Sequence, residues 1–437
     1  MNIGNITLRQ CWYFILTIFI PFLCVGGTTY FPYHFRLPIM IFVTVGSFVI
    51  FTASKKVIKF NLISSVWLCI SFMICISSFA SYDMNTTLEF GIVYLVCSLM
   101  LFVDFPKDLW AKVIFVCKIF AIVIALTIII SVFIDDFVLK YLGFLSNPMN
   151  YSSVSNQIHA ELQLGSYSGI AGEKASAALI MNVGIAIVFA KYFSGIKCKL
   201  IDFIELGLFL IALILTGKRM LFLIPILLFV IMMLMSSIKH RVAKFVAIAL
   251  LGVCAILIMS EFIPQMSVMY DRMLGNRDKD YYDPLSGRGN LWKYSFMMFA
   301  ESPIVGLGFG AYNDYAYDHG YLYDGAKWNY YGHNTYYEIL GETGIIGAVL
   351  IFGILVIALI MTIKLMISKK IDKQSKMILM FSFYIQAMLF IYCISGNVLF
   401  MKEQIFMWFT AMAMMLSVKN ELKIKDRSLL RGGKINE

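Results

Sequence analysis

A chain of 437 residues could make two or three soluble domains, but 60% hydrophobic and only 14% charged residues exclude that class. The formal net charge of +10 does not indicate nucleic acid: excess Lys and Arg mark the cytoplasmic loops of membrane proteins, and no basic motif for base readout is present. A bilayer core needs roughly 20 apolar residues per crossing helix, so about a dozen crossings still leave a sizeable part of the chain outside the membrane.

Hydropathy predicts a single polytopic domain over 1–437, an all-α integral membrane protein with about twelve transmembrane helices. The expected spans are 11–30, 37–53, 62–80, 86–104, 112–134, 174–193, 201–216, 220–236, 242–260, 344–363, 377–395 and 399–417. The first follows a lone Arg9 without a convincing small-x-small cleavage site, so it is expected to stay uncleaved with the amino terminus in the cytoplasm. Cytoplasmic basic clusters then fall at Lys55, Lys56 and Lys59; at Lys191, Lys197 and Lys199; at Lys239, Arg241 and Lys244; at Lys369, Lys370, Lys373 and Lys376; and in a basic tail over 418–437, which puts both termini inside. Lys118 lies close enough to the cytoplasmic end of its span to snorkel and is assigned no role. All nine Cys fall in spans or in a cytoplasmic loop, where they read as small core residues, and no Cys and His spacing suggests zinc.

Two outer loops are expected, 135–173 and a large extracytoplasmic loop over 261–343 containing short helices. Between the seventh and eighth spans, basic loops on both flanks require an even number of crossings, so the chain is expected to turn at Thr216 and Gly217. That turn leaves Lys218 and Arg219 on the outer side, where two cations near hydrocarbon require a partner: an anion, or one of Glu261, Glu338 and Glu342.

The large loop carries 11 acidic and 6 basic residues and 13 of the 24 Tyr. Its aromatic residues, including Tyr312, Tyr315, Tyr317, Tyr321, Tyr323, Tyr330, Tyr331, Trp292 and Trp328, fit either an interfacial belt or faces that stack on sugar rings. Asp278-Lys279-Asp280 reads as a solvated acidic turn. Ser286-Gly287-Arg288 opens a short amphipathic helix that ends before Pro303 and the glycine turn Gly306-Leu307-Gly308-Phe309-Gly310. No strand precedes those glycines, so a dinucleotide loop is excluded. At a helix start the dipole does not favour an arginine, so Arg288 points to a bound anion or to a salt bridge with Asp280 or Asp283. Thr335 and Glu338 form a capping-box pattern that starts a helix running into the tenth span and fixes His333 just outside it. A histidine so placed suits either surface packing or general-base catalysis.

Arg288 with Trp292, Pro303 with Gly306, Gly308 and Gly310, and His333-Asn334 with Glu338, Gly344 and Gly347 resemble, in pattern and order, the signature of the O-antigen polymerase and O-antigen ligase superfamily. Thr216 to Arg219 resembles the basic turn of that family. The resemblance implies a membrane-embedded glycosyltransferase of the bacterial cytoplasmic membrane, working on its outer face on a glycan linked to undecaprenyl pyrophosphate. It implies no metal and no nucleotide cofactor. Carried over residue by residue, it makes His333 the catalytic residue and Arg219 and Arg288 the pyrophosphate-binding residues, with Lys218 beside them where family members often have a small residue. Asn334, Glu338, Trp292, Tyr330 and Tyr331 are candidates for orienting the imidazole or binding glycan, with a capping role preferred for Asn334 and Glu338.

Within the superfamily the Tyr-rich segment before His333 favours the polymerase, which holds donor and acceptor glycans side by side. Its partners would be membrane lipid, the lipid-linked oligosaccharide and a chain-length regulator. The ligase, which moves finished polymer to lipid A-core, is the alternative. A small-anion transporter is the reading from another class, but the repeated halves common in transporters are not visible here.

Overall fold

A computed structural model describes residues 8–25, 33–55, 59–134, 137–142, 165–236, 288–320 and 331–432. Its helices are α1 (Leu8–Val25), α2 (Tyr33–Lys55), α3 (Leu62–Ser77), α4 (Met84–Leu99), α5 (Lys107–Phe133), α6 (Phe137–Tyr141), α7 (Lys174–Phe193), α8 (Leu200–Leu215), α9 (Arg219–Met235), α10 (Arg288–Glu301), α11 (Tyr312–Asp318), α12 (Thr335–Met366), α13 (Lys373–Tyr392) and α14 (Lys402–Gly432). No strand occurs among the described residues. Eight helices are long and apolar enough to cross a membrane: α1 to α5, α7, α12 and α13. Helices also stand at the expected spans 201–216, 220–236 and 399–417, whereas 242–260 lies outside the described residues.

Side chains show what solvent this fold is built for. Phe14, Val49, Phe79, Phe115, Leu223 and Val349 are all more than half exposed on the outside of the bundle, an arrangement that bilayer rather than water accommodates. In the middle, α7 and α13 are apolar almost all round and buried, as central helices of a bundle must be. They are joined by polar contacts that leave few lone groups: Tyr384 donates to Asn182 Oδ1 at 2.9 Å, and Asn182 donates to the Leu221 carbonyl at 3.0 Å.

Helix starts are set by local chemistry. Asn61, Asp83 and Asp372 accept from the backbone N–H three residues on, at 3.1, 3.1 and 3.0 Å, each cap being worth about 1 kcal/mol. Short connections make successive helices antiparallel, and cross-links at one end agree: Lys107 meets Asp372 at 3.4 Å and Glu421 at 3.2 Å. The loops carrying Lys197 and Lys199, and Lys369 and Lys370, gather at that end, and the starts of α7, α9 and α12 at the other.

One expectation needs correction. Lys118 does not snorkel free: its Nζ lies 2.8 Å from Glu205 Oε1, which ties α5 to α8, while Lys191 in the last turn of α7 pairs at 2.6 Å with Asp202 in the first turn of α8. The basic tail over 418–437 is helical as far as Gly432, where α14 ends. The helix expected to start at Thr335 and run into the tenth span does so, but it is interrupted at Gly344, which has φ 61°.

Candidate functional site

The break at Gly344 explains the glycine turn. Freed from the helix ladder, Ile345 N–H donates to the Pro303 carbonyl at 2.9 Å and Ile346 N–H to the Ile304 carbonyl at 3.2 Å, while Gly308 N–H donates to the Glu342 carbonyl at 2.9 Å. The segment 303–310 is therefore laced into the gap in α12. Gly306, Gly308 and Gly310 have φ of 73°, 117° and 82°, a region open to glycine and costly for other residues. The Glu342 carboxylate, fully buried, accepts from Gly310 N–H at 2.6 Å and Tyr312 N–H at 3.0 Å. Helix α11 follows, a turn of helix where sequence suggested only a Tyr-rich loop. Tyr312 and Tyr315 are buried there, Tyr312 donating to the Leu291 carbonyl at 2.7 Å, so these two rings are core and not sugar platforms. Tyr321, Tyr323, Trp328 and Tyr330 lie outside the described residues.

This clamp holds the first turn of α12 and, just before it, His333. The cap is Asn334, not Thr335: Asn334 Oδ1 accepts from Tyr336 N–H at 3.1 Å and Tyr337 N–H at 3.3 Å. Thr335 instead donates through its hydroxyl to the Gly396 carbonyl at 2.6 Å and accepts from Val398 N–H at 2.9 Å. Glu338 reaches back past the cap to accept from Gly332 N–H. Its other oxygen is buried with no partner among the described residues. Pinned on both sides, His333 has φ 52°, and it is the non-glycine residue with positive φ among those described; such backbone strain persists only where the surroundings impose it.

Helix α10, described from Arg288 on, lies along the start of α12. Trp292 stands edge-on to Tyr337 with ring centroids 5.3 Å apart, and Phe296 meets the same ring at 4.9 Å. Gly341 allows the approach, since a Cβ there would come within 2.6 Å of the Ser295 carbonyl oxygen. The indole N–H of Trp292 is buried without a partner among the described residues. Tyr331 is half-buried and tilted over Phe400 at 6.1 Å.

The turn at Thr216 and Gly217 forms as expected, with Gly217 at φ 67°. The last residues of the loop 135–173 pack onto it: Tyr167 N–H donates to the Leu215 carbonyl at 2.9 Å, and Ile170 N–H to Thr127 Oγ1 at 3.1 Å. This return brings Glu173 to Lys218, at 3.8 Å. Sequence reading offered Glu261, Glu338 or Glu342 as partners; the two described candidates, Glu338 and Glu342, are engaged by backbone N–H groups, and Glu173 takes the place. It is also the cap of α7, accepting from Ala175 N–H at 2.9 Å and Ser176 N–H at 2.7 Å. Arg219 is the first residue of α9 and is exposed.

Electrostatics join these pieces. The His333 imidazole is pushed down to about 4, first by burial and then by the positive charges of Arg288 and Lys218, with Glu173 opposing them. Near neutral pH the ring is thus uncharged beside two cations and one carboxylate, an arrangement with room for added negative charge. Among the described residues no group of three or more His, Cys, Asp and Glu gathers where a metal ion could bind. Glu173 and Asn397, whose amide nitrogen lies 3.4 Å from His333 Nδ1, escaped sequence reading. Glu173 carried a signal, an acidic residue immediately before an apolar run; Asn397 sits in a short turn whose partner is far away in sequence.

Comparison with known proteins falls on the same stretch. Residues 206–352 match the family described as O-Antigen ligase. The Exopolysaccharide production protein ExoQ of Rhizobium meliloti is 29% identical over 126 residues, 28% of this chain and 28% of that protein. The chain resembles the O-antigen polymerase and ligase superfamily, and the matched residues contain the turn at Thr216, Arg288, the glycine clamp and His333.

Proposed function

We propose that this protein is a surface polysaccharide polymerase that joins repeat units linked to undecaprenyl pyrophosphate, on the outer face of the bacterial cytoplasmic membrane, by metal-independent glycosyl transfer. The observation that carries the reading is one half-buried, neutral imidazole under the combined charge of Arg288 and Lys218. The positive-inside rule places the end that bears Lys197, Lys199, Lys369 and Lys370 in the cytoplasm; the site then faces outward and twelve crossings leave both termini inside.

In this reading His333 accepts the proton of an acceptor sugar hydroxyl as that oxygen bonds to the anomeric carbon of the donor. The bond from that carbon to the phosphate oxygen breaks, and the pyrophosphate leaves with the electron pair. Charge grows on the phosphate through an oxocarbenium-like state, so guanidinium groups can stabilise it directly and no protein acid is obligatory. Arg288 and Arg219 take that role, with Lys218 adding a point charge. Donor binding also prepares the base: the anion offsets the two cations that hold the imidazole down, so His333 becomes more basic once the pyrophosphate is in place. Trp292 and Tyr331 supply aromatic surface for glycan.

Exopolysaccharide production, in the name of the relative, suits a polymer-forming role for this chain as well. The description O-Antigen ligase favours the second reading, transfer of finished glycan to lipid A-core. The test gives the purified protein in lipid an undecaprenyl-pyrophosphate repeat unit, first alone and then with lipid A-core, with His333→Ala as control. A ladder from the lone substrate is expected. Product only with lipid A-core would make it the ligase, and no product in either case would leave small-anion transport.

A further inference from the structure

Asn397 stands at the head of a 3-10 turn, Val398–Phe400, that links α13 to α14, and it is buried. The chain around it is tied to the helix start that carries His333: Thr335 N–H donates to the Cys393 carbonyl at 2.9 Å, the Thr335 hydroxyl donates to the Gly396 carbonyl at 2.6 Å, and Val398 N–H donates back to that hydroxyl at 2.9 Å. Both backbone neighbours of Asn397 are thus fixed to a residue two positions from the histidine. Its side-chain amide lies against Nδ1 of the ring, 3.4 Å away at Nδ2, while its Oδ1 is buried with no hydrogen-bond partner among the described residues. An amide nitrogen and oxygen exchange places by a half-turn of the group, and the hydrogen bonds decide which faces which.

We infer that Asn397 is the positioning residue of His333: its side-chain carbonyl accepts the proton of Nδ1, which leaves Nε2 with the lone pair that receives the proton of the acceptor hydroxyl. The alternative, an N–H of the amide donating to Nδ1, would place the ring proton on Nε2 and remove the base. Turning the oxygen toward the ring gives Oδ1 the ring N–H as partner and carries the amide NH2 group to the place Oδ1 leaves, so the choice rests on which ring nitrogen must stay bare. The inference rests on the reading of His333 as general base. Arg288, Lys218 and Glu173 are the charged groups acting on the ring, and none of these selects between its two neutral tautomers as a direct hydrogen bond does.

The test uses the full-length protein in lipid. With histidine labelled in the ring nitrogens and the His333 signals identified by their loss in His333→Ala, nitrogen chemical shifts report which nitrogen bears the proton. Nδ1–H with bare Nε2 is expected in the native protein, and Nε2–H would overturn the assignment. In turnover assays with the undecaprenyl-pyrophosphate repeat unit, Asn397→Leu is expected to lower kcat by roughly 100-fold with little change in the donor KM, as loss of reactive geometry does. Asn397→Asp keeps the accepting oxygen, adds negative charge beside the ring and should move the acid limb of kcat/KM upward. Wild-type kcat and an unchanged tautomer in Asn397→Leu would refute the positioning role. If Asn397→Leu does not insert, the isosteric Asn397→Asp decides by its acid limb, which an unmoved profile would count against. Failure of the base reading looks different, as turnover retained in His333→Ala whatever the tautomer.

Discussion

Gly306 lies so close against the backbone of Glu342 that a Cβ on it would overlap the Glu342 carbonyl. The contact couples the glycine turn to α12 on the helix that begins two residues after His333, so the turn acts as a brace for the site. Gly344, whose own Cβ would overlap the Ile304 carbonyl, completes the same joint from the other side. Alanine at either position must adopt positive φ, at about 1–3 kcal/mol, and must also push two backbones apart. Gly306→Ala and Gly344→Ala are each expected to lower the unfolding temperature in detergent by several degrees and to reduce turnover along with it. A wild-type melting curve for either would mean that the brace is looser than its geometry.

The pH dependence follows from the position of His333. In the free enzyme the ring is depressed to about 4 from 6.5, so the acid limb of kcat/KM, which reports the free enzyme, should fall near pH 4 and not near 6.5. On the proposed function, bound pyrophosphate would oppose Arg288 and Lys218, so the acid limb of kcat, which reports the complex, should lie at higher pH. Stability has the same origin: the unfolded chain takes up the proton first as pH falls below 6.5, so stability is full above that value and is lost from 6.5 down to about 4. Coincident limbs for kcat and kcat/KM would show that the donor does not sit among these charges.

Arg288→Lys retains charge and loses the two-pronged donor geometry that matches a phosphate. Turnover is expected to drop by at least 10-fold, with the acid limb of kcat/KM nearly in place because a positive charge still acts on His333. Arg288→Gln should lose turnover too, but should raise the acid limb, since the cation that depresses the ring is gone. Near-normal turnover in Arg288→Lys would show that point charge suffices.

How much of this was legible beforehand depended on whether the signal was local. Helix positions and the turn at Thr216 follow from apolar runs and breakers, which act within a few residues. Lys218 stands out as a cation near hydrocarbon, Arg288 as a cation at a helix start and His333 as a titratable group just outside one. What could not be read was pairing across sequence: Lys118 with Glu205, Lys218 with Glu173, His333 with Asn397. The burial of Tyr312 and Tyr315 was hidden for the same reason, because α11 is capped by Glu342, from an element 30 residues away. Thr335 fits the capping-box spacing to Glu338, yet tertiary partners at Gly396 and Val398 claim its hydroxyl, and the cap falls to Asn334, for which local sequence also predicts that role.

Glu173 holds two posts, and its substitution separates them. As cap it accepts from two N–H groups of α7, one on each oxygen, and Glu173→Gln keeps one of the two acceptors, so a stability loss of about 1 kcal/mol is expected. As counter-charge it partly neutralises Lys218 and raises the His333 ring. Without it the site gains net positive charge: the donor KM should fall, and the acid limb of kcat/KM should move further down. The second effect is the sharper, because a merely structural role would disturb affinity without shifting a titration. Glu173→Ala would confuse the two posts by removing the cap as well. An unshifted acid limb in Glu173→Gln, in protein that melts as the native does, would place Glu173 in the scaffold and leave Arg288 and Lys218 as the groups that set the charge of the site.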